Sequence, residues 1–128
     1  MSISVSYETQ IYSGTHMICD IKKIENKTML NDISQLKNLL DNICEKHNYT
    51  ILQKTEHIFE PQGYTILYML SESHISIHTF PEKEYIAFDL YTCRSYESHC
   101  PYMEIYEYLI TQLNAKKETP IILNRSFE

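Results

Sequence analysis

The sequence has no tryptophan, and only two glycines (Gly14 and Gly63) and four prolines in 128 residues. So little glycine and proline excludes collagen-like and low-complexity chains. Its four cysteines, Cys19, Cys44, Cys93 and Cys100, form no C-x-x-C pair, so neither a zinc knuckle nor a thioredoxin-type redox site is supported. Lysine and arginine nowhere cluster at the density of a nucleic-acid patch. With a net charge of −6, this argues against DNA or RNA as the main partner. No apolar run approaches the length of a membrane span, and a basic-then-apolar leader is missing. The expectation is a cytoplasmic protein with free thiols and neither nucleic acid nor membrane among its partners.

The residues present describe a single globular domain over 1–128, with 43% apolar and 22% charged residues. Tyrosine stands out with 11 copies, a residue suited to half-buried sheet faces because its ring packs while its hydroxyl stays wet. Residues 15–21 read as a strand. Leu30, Ile33, Leu36, Leu39, Leu40, Ile43, Cys44 and His47 recur at three- and four-residue steps, an amphipathic helix with Asn31 or Asp32 as its cap. Residues 49–59 are rich in β-branched and aromatic side chains, and Pro61, Gln62 and Gly63 mark a turn.

Residues 64–70 carry almost no polar side chain and read as a strand buried on both faces. Two further strands are expected at 73–79 and 85–92. Pro101 opens a second helix through Ile105, Tyr106, Tyr108, Leu109 and Leu113, and a short strand closes the chain at 120–123. The expected fold is therefore α+β, a two-layer sandwich whose mainly antiparallel sheet is covered on one face by two helices. The other face needs solvent or a partner.

The chemistry concentrates in Ser71-Glu72-Ser73-His74-Ile75-Ser76-Ile77-His78-Thr79-Phe80-Pro81-Glu82. Strand alternation sets Ser73, Ile75, Ile77 and Thr79 on one face, and His74, Ser76 and His78 on the other. A serine hydroxyl can attack the carbonyl that precedes it when the turn is strained, converting an amide to an ester. A base that removes the serine α-proton then eliminates the upstream chain. The dehydroalanine left behind hydrolyses to a pyruvoyl group. Histidine suits the proton transfer, because its pKa lies near neutrality. By residue type alone the same segment also suits an ordinary half-exposed strand. His74 and His78 lack a third ligand at a convincing spacing, so no metal is expected.

This segment, with Asp89-Leu90-Tyr91-Thr92-Cys93 fifteen residues beyond His78, closely resembles the small prokaryotic type of S-adenosylmethionine decarboxylase. Gly14 and His16, and then Phe59, Pro61 and Gly63, extend the resemblance over about 14–113. It implies self-cleavage between Glu72 and Ser73 into a β chain, 1–72, and an α chain, 73–128. Ser73 would become a covalent pyruvoyl group, which condenses with the substrate amine and replaces pyridoxal phosphate as electron sink, so that no diffusible cofactor is needed. The resemblance further implies that His78 assists elimination and that Cys93 returns a proton to the substrate α-carbon. Thr65 would support processing where the family usually has serine, Phe59 would stack on the adenine, and Glu82 would contact the nucleoside. The implied substrate is S-adenosylmethionine, feeding spermidine synthesis, and the implied assembly is a homodimer.

Several positions depart from the family pattern. Phe80 replaces a tryptophan, Glu84 and Arg94 stand where glycine is common, and Thr15 replaces an arginine. Glu84 keeps open a second reading, a pyruvoyl-dependent arginine or ornithine decarboxylase on the same scaffold. A third is an inactive regulatory partner subunit, against which the retained Ser73, His78 and Cys93 speak.

Overall fold

Period-two alternation and two amphipathic stripes dictate a sheet with one buried face, and the computed structural model has that arrangement. It describes residues 11–128 and the backbone of a two-residue strand, β1 (Ser2–Ile3). Strand β2 (Tyr12–Ile21) leads through a one-turn helix, α1 (Lys27–Leu30), into α2 (Ile33–Lys46). Strands β3 (Ile51–Ile58), β4 (Tyr64–Leu70), β5 (Ser73–Phe80) and β6 (Tyr85–Thr92) follow, with a 3₁₀ turn, Pro81–Lys83, between the last two. The short β7 (Ser95–Tyr96), helix α3 (Cys100–Leu113) and β8 (Ile121–Ser126) complete the order.

Six strands form one antiparallel sheet in the order β3-β4-β5-β6-β2-β8, while β1 and β7 pair separately. The α+β sandwich expected from the sequence is thus present, with α2 and α3 as its two long helices. Asp32 starts α2, its carboxylate accepting from the backbone N–H groups of Ser34 (2.9 Å) and Gln35 (3.3 Å). Asn31 instead ends α1. Pro101 sits in the first turn of α3, where its missing N–H costs nothing.

Leu36, Leu39, Leu40, Ile43 and Cys44 of α2, and Tyr102, Ile105, Tyr106, Leu109, Ile110 and Leu113 of α3, bury against one face of the sheet. That face supplies Met17, Cys19, Ile75, Ile77, Phe88 and Leu90. Each fully buried side chain of the size of Leu, Ile or Phe contributes about 1.5–3 kcal/mol, so this layer holds the fold together.

Strand β4 corrects one expectation. It is buried on one face only: Ile66, Tyr68 and Leu70 point into the core, whereas Leu67 and Met69 lie exposed. The helices cover a single face, so the apolar side chains of β4 that point away from them meet no second layer among the described residues. Phe80, Ile121 and Leu123 extend the same open apolar surface. Among the described residues, no helix is long and apolar enough to cross a membrane.

Candidate active site

Strands β4 and β5 are joined by a turn of two residues, Ser71 and Glu72, after which Ser73 pairs with Leu70. Two-residue hairpin loops favour residues with positive φ, which asparagine and glycine adopt most readily. Here the position falls to Glu72, held at φ 62° in the left-handed region. A non-glycine residue there is strained by contact of its Cβ with the neighbouring backbone. The Ser71 N–H donates to the Thr50 carbonyl (2.9 Å), anchoring the turn to the chain that leaves α2. The Glu72–Ser73 bond therefore follows a strained residue at the start of a central strand.

Across from it lies the end of β6. Ser73 pairs with Thr92. Cys93 follows Thr92 directly, one residue past the last pair of this ladder. Thr92 is fully buried and its Oγ1 lies 2.6 Å from the Tyr102 hydroxyl of α3. On the far side of β6, Gly14 permits close approach: a Cβ there would lie 2.2 Å from the Thr92 carbonyl oxygen. Cys93 itself is half-buried. The other thiols differ. Burial, with Asp89 and Asp20 nearby, pushes Cys19 up to about 12, and burial beside Asp41 pushes Cys44 up to about 11, so both stay protonated and inert.

A second cluster occupies the other end of β5. Thr65 pairs with His78, and the Thr65 Oγ1 lies 3.0 Å from His78 Nδ1, on the open face of the sheet. The adjoining loop brings in Phe59, whose backbone N–H donates to the Gly63 carbonyl (2.9 Å) and whose exposed ring meets His57 edge-on at 4.5 Å. Gly63 has φ 101°, a conformation that favours glycine. Gln62 Nε2 donates to the Glu82 carboxylate at 3.3 Å, tying this loop to the 3₁₀ turn after β5. Phe59, Thr65, His78 and Glu82 thus share one end of the sheet.

Ser73 and His78 do not share one. Five residues separate them along a single strand, about 16 Å at the usual rise, and the odd spacing points them to opposite faces. Between the clusters the open face carries His16, whose Nε2 lies 3.2 Å from Asp89 Oδ1, and the stacked pair His74 and Tyr91 at 5.8 Å. Among the described residues no group of three His, Cys, Asp or Glu side chains is placed to hold a metal.

Several contacts escaped the linear reading. The Thr92–Tyr102 bond, the Gln62–Glu82 bond and the His16–Asp89 pair all depend on strand register or on a helix crossing back, which no local spacing reveals. Glu84 has a conformational reading as well: it sits at φ 54°, which explains why glycine suits the position, and its carboxylate pairs with Lys27 Nζ at 2.5 Å.

Known proteins place this arrangement. A family model described as S-adenosylmethionine decarboxylase matches residues 15–126. The S-adenosylmethionine decarboxylase proenzyme of Brevibacillus brevis is 38% identical over 104 residues, covering 81% of this chain and 75% of that protein. The proenzyme of Clostridium botulinum (strain Loch Maree / Type A3) is 39% identical over 82 residues, 64% of this chain and 70% of that one. A crystal structure of the adenosylmethionine decarboxylase from Aquifex aeolicus superposes with a TM-score of 0.78 at 27% identity, covering 93% of this chain and 95% of that one. With the family model spanning all but the ends, and the two clusters falling on the motif residues, the chain belongs to the S-adenosylmethionine decarboxylase family.

Proposed function

We propose that this chain is a self-processing S-adenosylmethionine decarboxylase that cuts itself between Glu72 and Ser73 and works as a homodimer. One observation carries the reading: a left-handed Glu72 immediately before Ser73, which pairs with Thr92, the residue before Cys93. Strain at Glu72 raises the ground state of the amide that Ser73 Oγ attacks. The nitrogen is released as the ester forms. A base then takes the Ser73 α-proton, the Glu72 carboxylate leaves, and hydrolysis of the remaining dehydroalanine expels ammonia to give the pyruvoyl end. Such a group supplies an electron sink for the carbanion left by decarboxylation. A half-buried serine at a strained chain reversal, with a half-buried cysteine at the end of the neighbouring strand, fits its formation and use.

Within this reading the chain's own residues divide the work. Cys93 delivers the proton that ends decarboxylation at the substrate α-carbon. His78, oriented by Thr65, moves the proton during processing. Phe59 offers its exposed ring to the adenine, and Glu82, steadied by Gln62, meets the nucleoside hydroxyls. Because a single strand holds Ser73 and His78 about 16 Å apart, joint action needs a second copy. Two open sheet faces packed together in opposite directions would set the sheet end that carries the Glu72–Ser73 bond of one protomer, a backbone bond in reach of either face, against the His78 end of its partner. The exposed Leu67, Met69, Ile121 and Leu123 support such a contact.

A basic amino-acid substrate is not favoured, since the carboxylate that recommended it, Glu84, is engaged by Lys27. An inactive regulatory subunit is not favoured either, because the strained turn and both clusters are intact. The product would serve spermidine synthesis in the cytoplasm, in keeping with four free cysteines. Intact-mass measurement tests the core of the proposal. Wild type should resolve into fragments 1–72 and 73–128, the latter lacking a free amino terminus, while Ser73→Ala stays whole. A wild-type chain still uncut after prolonged incubation overturns it.

A further inference from the structure

Arg94 follows Cys93 directly and reaches away from the sheet to the end of α2. Its guanidinium donates to the carbonyl oxygens of His47 and Asn48, and it lies over the Tyr49 ring, 4.6 Å from the centroid. Those carbonyls follow Lys46, the last residue of α2, at the end that the helix dipole makes negative. A planar fork with several donors can hold two such oxygens while stacking on an aromatic face, which an ammonium cannot do. The contact continues inward. The Tyr49 hydroxyl lies 3.4 Å from that of Tyr96, the Tyr96 ring meets Tyr102 edge-on at 5.4 Å, and Tyr102 bonds Thr92 at 2.6 Å.

Cys93 therefore sits between two anchored neighbours. Thr92 is fastened to α3 through Tyr102, and Arg94 is fastened to α2 through two carbonyls and a ring. The residue between them belongs to no strand or helix. Without the second anchor the chain between Thr92 and β7 would lose the contact nearest the thiol. We propose that Arg94 is a positioning residue that fixes the Cys93 thiol at the end of the Ser73–Thr92 pairing by clamping the end of β6 onto the C-terminus of α2. The proposal rests on the reading of Cys93 as proton donor. It predicts a selective defect, because self-cleavage does not use the thiol whereas turnover does.

Arg94→Met, which keeps an apolar stem but no donors, and Arg94→Lys, which keeps the charge without the fork, provide the test. Self-cleavage of Arg94→Met should remain within about twofold of wild type, while kcat falls about tenfold with KM little changed, the signature of a displaced group rather than weakened substrate binding. Arg94→Lys should fall between the two. An independent readout uses the uncut Ser73→Ala chain, in which iodoacetamide labelling of Cys93 is followed by peptide mass, with the exposed Cys100 as internal control. Adding Arg94→Met should change the Cys93 rate at least about threefold, by freeing the thiol from its fixed geometry, and leave Cys100 unchanged. Equal changes at both cysteines, or wild-type labelling and kcat in both variants, overturn the proposal. If Cys93→Ala itself turns over normally, it is the reading of Cys93 that fails.

Discussion

The two ends of β5 are built to different rules. At the Ser73 end the backbone is strained at Glu72, Thr92 is fully buried, and Gly14, Tyr102 and Arg94 press the neighbouring segment into place. At the His78 end the groups are half-exposed, hydroxyl meets imidazole, and a glycine-hinged loop carries an aromatic ring into solvent. The first end suits a bond that must be pushed to react; the second suits groups that must receive something from outside. The strand between them keeps them apart.

Dividing the two ends between two chains should have the largest effect. Ser73→Ala and His78→Ala, each purified alone, should fail to cut or cut at least about a hundredfold more slowly, the usual range for a lost acid–base group. Co-expressed as mixed dimers, they should regain cleavage of the His78→Ala chain, because one interface then joins an intact Ser73 to an intact His78. Absence of any rescue in mixed dimers would show that each copy works alone. A smaller effect is expected at the receiving end. Phe59→Ala should leave processing intact and raise KM for S-adenosylmethionine by about tenfold to a hundredfold, taking about 1–3 kcal/mol for a stacked base. An unchanged KM would remove that ring from the site.

At the strained end, Gly14→Ala should destabilise the fold by about 1–3 kcal/mol, since the new methyl meets a backbone carbonyl that cannot swing aside. A melting temperature equal to that of wild type would mean that β2 can retreat from Thr92 freely. The smallest effect concerns His47, beside the Arg94 anchor. Burial holds its pKa below the ordinary histidine value. The unfolded chain therefore takes up the proton first, and this contribution to stability, complete above about pH 6.5, is lost as pH falls through the lower folded value. The drop in melting temperature between neutral and mildly acidic pH should be smaller in His47→Gln, which keeps the backbone carbonyl that Arg94 uses. An identical drop would assign the acid sensitivity elsewhere.

Much of the scaffold was legible because its signals are local. Strand β6 runs Tyr85–Thr92 as read, since its side chains alternate cleanly between faces. Helix α2 starts at Asp32 as its capping chemistry indicates. Strand β4 misled for a physical reason: an unbroken apolar run says that a strand avoids water, but not which of its faces its own chain will cover. The pairing of Thr65 with His78 and of Ser73 with Thr92 depends on register across three strands, which only the folded sheet supplies. The resemblance named these residues; it could not say that they would lie at two ends rather than in one place. Arg94, noticed only as a departure from glycine, acquires a role once α2 is seen to end beside it.

The strand order has a further consequence for the life of the molecule. A cut after Glu72 gives one fragment holding β2, β3 and β4 and another holding β5, β6 and β8, yet in the sheet these alternate: β4 lies against β5, β6 against β2, and β2 against β8. The pieces are interleaved like two hands with fingers crossed, not joined along one seam. Three hydrogen-bonded ladders of this sheet, and the β1–β7 pair besides, would have to tear at once for them to part, so the cut molecule should persist as a unit. Once separated, however, the halves must find each other by collision, having lost the high local concentration that the intact turn provided. On the proposed cleavage, the uncut precursor is the form that folds, and scission would commit it to a state it can keep more easily than it can regain.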